Sequence, residues 1–91
     1  MELIVTPAAL ACILQEWGYA EGERVRVFVR YVSGGEEPFA FGMMRDHPVD
    51  PAVSVDLGSL LFYMESKDVW FLEGRSLTID GSGDEIYYRM A

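Results

Sequence analysis

The sequence predicts an α+β fold: a compact, mostly antiparallel mixed β structure, a curled sheet or flattened barrel of six or seven short strands. An N-terminal helix and one short second helix complete it. Three observations carry this reading. Runs that alternate apolar and polar residues recur along the chain, turn-forming residues join them pairwise into hairpins, and the helical periodicity near the start is confined to one stretch. With 91 residues there is room for one domain, spanning 1–91.

The helix is the firmest element. Thr6-Pro7 offers an N-capping hydroxyl followed by a proline whose missing N–H costs nothing there, so the helix begins at Pro7. Leu10, Ile13, Leu14 and Trp17 fall at i, i+3, i+4 and i+7 as one apolar stripe, and Gly18 supplies the left-handed stop. Cys12 lies about 150° from the centre of that stripe, beside Ala8 and Ala11, which predicts a position outside the core.

The strands follow in order. Residues 2–5 read as a short opening strand. Residues 24–32 (RVRVFVRYV) alternate, with Val25, Val27, Val29 and Tyr31 on one face and Arg24, Arg26, Phe28 and Arg30 on the other. Ser33-Gly34-Gly35 breaks that strand, and residues 38–44 return as its hairpin partner. RDHPVDP is an irregular connection with two prolines. Residues 53–56 and 59–64 make a second hairpin around Leu57-Gly58. A short helix starts at Glu65 or Ser66, turns Val69, Trp70 and Leu72 inward and stops at Gly74. Residues 76–80 and 85–90 close a third hairpin across GSGD.

Charge narrows the partners. Fifteen acidic residues against seven basic ones give a net charge of -8, which disfavours nucleic acid and anionic membrane. The N-terminus has no basic region before its apolar residues and no apolar run reaches membrane-spanning length, so a cytoplasmic protein is expected. One cysteine makes no internal disulfide, in keeping with a reducing compartment.

Candidate chemistry is sparse. Asp46, His47 and Asp50 are the only clustered metal-type ligands, and their spacing matches no standard site, so no metal is expected. The serines lack a nucleophile elbow, no glycine run forms a phosphate loop, and the adjacent acids Glu36-Glu37 and Asp84-Glu85 read as solvated, which points away from an enzyme. Arg24, Arg26 and Arg30 pair with neighbouring acids in the ordinary reading. In the other, Arg26 and Arg30 join the bare amides of Ser33, Gly34 and Gly35 as a ligand-binding strip for a small anion or a protein partner.

Four stretches in order, IVTPAAL, VRVFVRY leading into the Gly-rich loop, DHPVDPAVSVD and ESKDVWFLEGRSLTID, resemble the HesB-like, or A-type, iron–sulfur carrier family over residues 3–80. That resemblance implies a compact mixed β fold with flanking helices. Cluster-holding members use three cysteines, one in the Gly-rich loop and two in a Cys-Gly-Cys tail. Here the loop position falls at residues 33–35 and holds no cysteine, and no such tail follows EIYYRM. Without thiolates no iron–sulfur cofactor is expected. The resemblance therefore implies a cysteine-lacking relative of the iron–sulfur biogenesis carriers that serves as a non-catalytic binding or adaptor module. The alternative is a redox or metal-handling protein that uses Cys12 across a homodimer, through the Ala8, Ala11 and Cys12 face.

Overall fold

A computed structural model describes residues 1–34 and 38–91. In chain order the elements are β1 (Leu3–Val5), α1 (Pro7–Gln15), β2 (Arg24–Tyr31), β3 (Phe39–Arg45), β4 (Pro51–Asp56), β5 (Leu61–Glu65), a 3-10 helix (Val69–Leu72), β6 (Leu77–Ser82) and β7 (Glu85–Met90). The α+β class holds, with seven strands that pair mostly antiparallel. The three expected hairpins, β2–β3, β4–β5 and β6–β7, all form.

Two parallel pairings, β1 with β6 and β2 with β5, join these hairpins into a three-stranded sheet ordered β1-β6-β7 and a four-stranded sheet ordered β3-β2-β5-β4. This corrects the expectation of a curled sheet or flattened barrel. Closure would require a backbone ladder between the two sheets, and β1 and β4 approach each other without one. The second helix is also corrected. It is a single 3-10 turn, ended by left-handed Glu73 (φ 52°) and Gly74 (φ 80°).

One contiguous core draws on both sheets: Val25, Val27, Phe62 and Met64 from the four-stranded sheet, Leu3, Leu77 and Ile79 from the three-stranded one, with Ala9, Ile13, Leu60 and Leu72. Helix α1 begins as expected. The Thr6 hydroxyl accepts from the Ala9 amide at 3.2 Å and donates to Asp80 Oδ1 at 2.8 Å, which ties the cap to β6.

The buried side of α1 is not the expected stripe. Ala9, Cys12 and Ile13 are buried, Leu10 and Leu14 pack at the margin, and Trp17 lies beyond the helix end with 38% of its surface exposed. The helix is rolled by about one residue position, or about 100°. Gly81 explains why. It shares a face of β6 with Leu77 and Ile79, and a Cβ there would stand 3.0 Å from Ala9 Cα and 3.1 Å from the Ala8 carbonyl oxygen. The helix backbone rests directly on this glycine, so its small residues, Cys12 among them, turn inward. Gly18 (φ 75°) then reverses the chain, and the Tyr19 amide donates back to the Ile13 carbonyl at 3.3 Å.

Among the described residues no helix is long and apolar enough to cross a membrane.

Candidate functional site

The inward face of β2 runs from core to surface along one strand. Val25 and Val27 are fully buried, Val29 is half-buried, and Tyr31 is 73% exposed. Strand β3 lies beside it in register, with Met43 opposite Val27, Phe41 opposite Val29 and Phe39 opposite Tyr31, all three half-buried. This face is longer than the three-stranded sheet can cover. Where cover runs out, the 3-10 turn brings in Trp70 and Phe71, and β7 brings in Tyr88.

The outcome is a ladder of aromatic rings. Tyr31 meets Phe39 at 6.0 Å between centroids, Phe39 meets Trp70 at 5.4 Å and Phe71 at 5.7 Å, and Phe41 meets Phe71 at 5.3 Å and Tyr88 at 5.4 Å. Most of these contacts are edge-to-face, the favoured geometry for ring quadrupoles. Its inner end is anchored in the core, while at its outer end Trp70 is 55% exposed beside the still more exposed Tyr31. Burial pushes the Tyr88 phenol up to about 12, so it stays a neutral group.

An open groove of about 360 Å³ continues this surface along the β3 edge, with Arg30 and Trp17 beside Phe41 and Tyr88. Phe28 also faces it and brings the tip of its ring over Gly42, where an added Cβ would come within 2.7 Å of Cζ. The combination of Trp, Tyr and Arg on one rigid, partly exposed surface is the composition of a protein-binding hot spot.

The 3-10 turn is set in place by an ion pair. Asp68, which precedes it and is 6% exposed, accepts from Arg26 Nη2 at 2.8 Å, and Asp46 lies 3.7 Å from Arg26 Nη1. Arg26 thus has acidic neighbours on the chain segments that follow β3 and β5. Arg24 and Arg30 are exposed.

The residues grouped from sequence as a ligand strip are placed apart. Arg26 lies in the ion pair, Arg30 lines the aromatic groove, and Ser33 and Gly34 are exposed at the end of β2, with Gly34 at φ 88°. Gly35, like Glu36 and Glu37, lies outside the described residues. Asp46 is engaged by Arg26 and by the His47 amide, and among the described residues no three His, Cys, Asp or Glu side chains gather as a metal site. Cys12 is 4% exposed between α1 and the sheet, and burial raises its thiol pKa. It is not on the outer face from which a thiol bridge between two copies was expected to form.

The sequence put Tyr31 and Trp70 among inward-facing residues, which is correct for their direction and not for their exposure. The density of rings in 28–41 and at 70–71 was the available signal, since a chain this small has little cover for so many.

A curated protein of Bacillus subtilis (strain 168) named "Pyruvate dehydrogenase inhibitor" is 28% identical to this chain over 86 residues, which is 92% of this chain and 90% of that protein. No family model matches the chain, and no solved structure matches it. These findings overturn the resemblance to HesB-like iron–sulfur carriers, because the near full-length relative carries an inhibitor's name and no carrier family is matched. The function drawn from that resemblance, a module related to iron–sulfur biogenesis, falls with it. So does the alternative of a redox or metal-handling homodimer bridged by Cys12, whose thiol is buried within its own chain.

Proposed function

We propose that this chain is a non-catalytic regulatory protein that binds another protein through the outer end of its aromatic ladder, Tyr31, Phe39 and Trp70, with Arg30 on the groove that continues from its inner rings Phe41 and Tyr88. The partner is an enzyme complex of the pyruvate dehydrogenase type, and binding lowers its activity. The observation that carries the binding mode is the exposure of Trp70 and Tyr31 on rings fixed from beneath by the core. The partner class is supported by the name of the 28% identical relative. Ser33 and Gly34, exposed just past the end of β2, offer backbone amides beside Tyr31 to the partner.

The fit to such a role is physical. Anchored rings lose little side-chain freedom on docking, so more of their desolvation energy appears as affinity. The test is titration of purified pyruvate dehydrogenase complex with the chain, reading enzyme activity and binding together. Trp70→Ala and Tyr31→Ala should each weaken both readouts by about thirtyfold, the effect of a hot-spot truncation of about 2 kcal/mol. Tyr87→Ala, an exposed tyrosine outside the ladder, should change neither. Full inhibition by Trp70→Ala would refute the surface, and absence of binding by the unaltered chain would refute the partner.

A further inference from the structure

Four strands lie at the edges of the two sheets, β1 and β7 in one, β3 and β4 in the other. Exposed edges invite unwanted pairing, and proteins blunt them with brevity, charge, proline or a bulge. Three of the four are blunted. β1 has three residues; β4 begins at Pro51, shifts register between Pro51 and Val53 and ends at Asp56; β7 carries Glu85 and Arg89. β3 has none of these devices. It pairs with β2 through seven residues without a register shift, and from Phe39 to Met44 it bears neither a charge nor a proline.

Which backbone groups β3 leaves open follows from the two ends of that ladder. The Val32 amide donates to the Pro38 carbonyl at 2.6 Å and the Asp46 amide to the Arg24 carbonyl at 3.3 Å, both in the register of β2 with β3. Bonded pairs recur at every second residue, so Ala40, Gly42 and Met44 turn their amides and carbonyls to β2, while Phe39, Phe41, Met43 and Arg45 turn theirs outward. Among the described residues those outward groups meet no backbone partner. The groove of about 360 Å³ wraps the same edge, with Phe28 and Arg30 on one side of the sheet and Phe41, Met43 and Tyr88 on the other. A strand laid along β3 would complete the backbone bonds and fill the groove at once.

Charge decides whose strand fits. A net charge of -8 sets most faces of two copies against each other, but no acid lies on β3. Run antiparallel about a two-fold axis at Gly42, two β3 strands engage all seven residues of each and match outward groups with outward groups: Phe41 with the second copy's Met43, and Phe39 with its Arg45. The two glycines meet at the axis. Each Ala40 then stands opposite the second copy's Met44, with that copy's Asp46 two residues further along. Arg30, the neighbour of Ala40 in the β2–β3 register, is exposed and among the described residues pairs with no acid. Asp46 is held loosely by Arg26, at 3.7 Å, and its side chain is 42% exposed. Leaning across the small Ala40, Arg30 comes within reach of the second copy's Asp46, and the symmetry forms this complementary pair twice.

We propose that two copies of this chain pair antiparallel through β3, about a two-fold axis at Gly42, and join their four-stranded sheets into one continuous sheet. The pairing needs neither Tyr31 nor Trp70, so it stands whether or not the aromatic ladder binds an enzyme complex. Sedimentation equilibrium of the full chain, with amide hydrogen exchange followed by NMR over the same concentrations, tests it. A dimer with a dissociation constant of about 100 μM or tighter is expected. In the dimer the Phe41 and Met43 amides should exchange at least about tenfold more slowly than in the dilute monomer. Met44→Lys, at an exposed position, sets a cation toward the second copy's Arg30, and Arg30→Glu sets an anion toward its Asp46; each should weaken association by about tenfold or more. A chain still monomeric at about 100 μM, a dimer whose Phe41 and Met43 amides stay unprotected, or association undiminished by either variant would each overturn the proposal. So would protection of those amides that appears only when pyruvate dehydrogenase complex is added, which would make the edge a seat for that enzyme instead.

Discussion

Replacing Asp68 by asparagine removes one charge and almost no volume, and it separates the ion pair from every packing effect around it. In the folded chain the Arg26 side chain is 16% exposed and the Asp68 side chain 9%, with 2.8 Å between Nη2 and Oδ2. Stripping one partner from a buried pair costs roughly 3–5 kcal/mol, because the other charge is left without compensation. Here Asp46, 3.7 Å from Nη1, keeps part of that compensation, and the expected loss falls to about 2–3 kcal/mol. The 3.5 Å approach of the Val29 amide to Oδ1 adds little, since that distance is at the limit for a hydrogen bond and an asparagine oxygen can still accept it. Against a total of roughly 5–14 kcal/mol for a chain of this length, the loss is large. Urea unfolding followed by circular dichroism should show the midpoint lowered by about 2 M for a slope near 1 kcal/mol/M. The double variant Arg26→Met/Asp68→Leu should recover most of that stability, as apolar replacement of both partners does for buried pairs. A loss under about 0.5 kcal/mol, the size of an exposed pair, would refute the buried-pair reasoning, and so would full additivity in the double variant.

Further outcomes follow from other contacts. Gly81→Ala places a Cβ against backbone atoms of Ala8 and Ala9 that cannot rotate away, so it should cost about 1–3 kcal/mol and lower Tm by about 4–8 °C per kcal/mol; calorimetry that shows no change would dismiss the close helix contact. The Asp80 carboxyl is held below its ordinary pKa by the Thr6 hydroxyl, then by the Gly81 amide and Arg89. A depressed acid contributes stability that is complete above its unfolded value near pH 4 and disappears as pH falls through the folded value, so unfolding curves should weaken below about pH 4 and Asp80→Asn should flatten that dependence. Cys12, buried with a raised pKa, should react slowly with a thiol reagent in the native protein and rapidly in urea, and rapid native labelling would contradict its position under α1.

What could be read from the sequence was local. The Thr6-Pro7 start of α1, the three hairpins and the alternation of β2 all rest on interactions between near neighbours in the chain, and all are found. The parallel pairings were not legible, because a register such as Arg24 opposite Leu61 leaves no mark in either strand alone. The roll of α1 was misread for a related reason. Its stripe of Leu10, Ile13, Leu14 and Trp17 is the more hydrophobic one, but the decision lay with Gly81, where the absence of a side chain on another element admitted the helix backbone. The aromatic ladder required knowing how far the smaller sheet extends. The burial of Tyr63 required knowing that residues 46–50 fold over the second face of the larger one.

The pairing of β1 with β6 also sets an order of events during synthesis. Thr6 reaches its partner Asp80 across 74 positions of chain, and Leu3 needs Leu77 before it has a ladder to join. As the chain emerges from the ribosome, β2 to β5 can close the four-stranded sheet from residues 24–65 alone, whereas α1, nine residues long, is too short to persist unsupported. Until β6 appears, β1 and α1 wait as an unfolded leader and the face of Val25, Val27 and Phe62 stays open to water. This late joining of the first residues makes the interval before β6 the aggregation-prone stage of the chain's synthesis, the stage at which a chaperone that holds apolar surface would act.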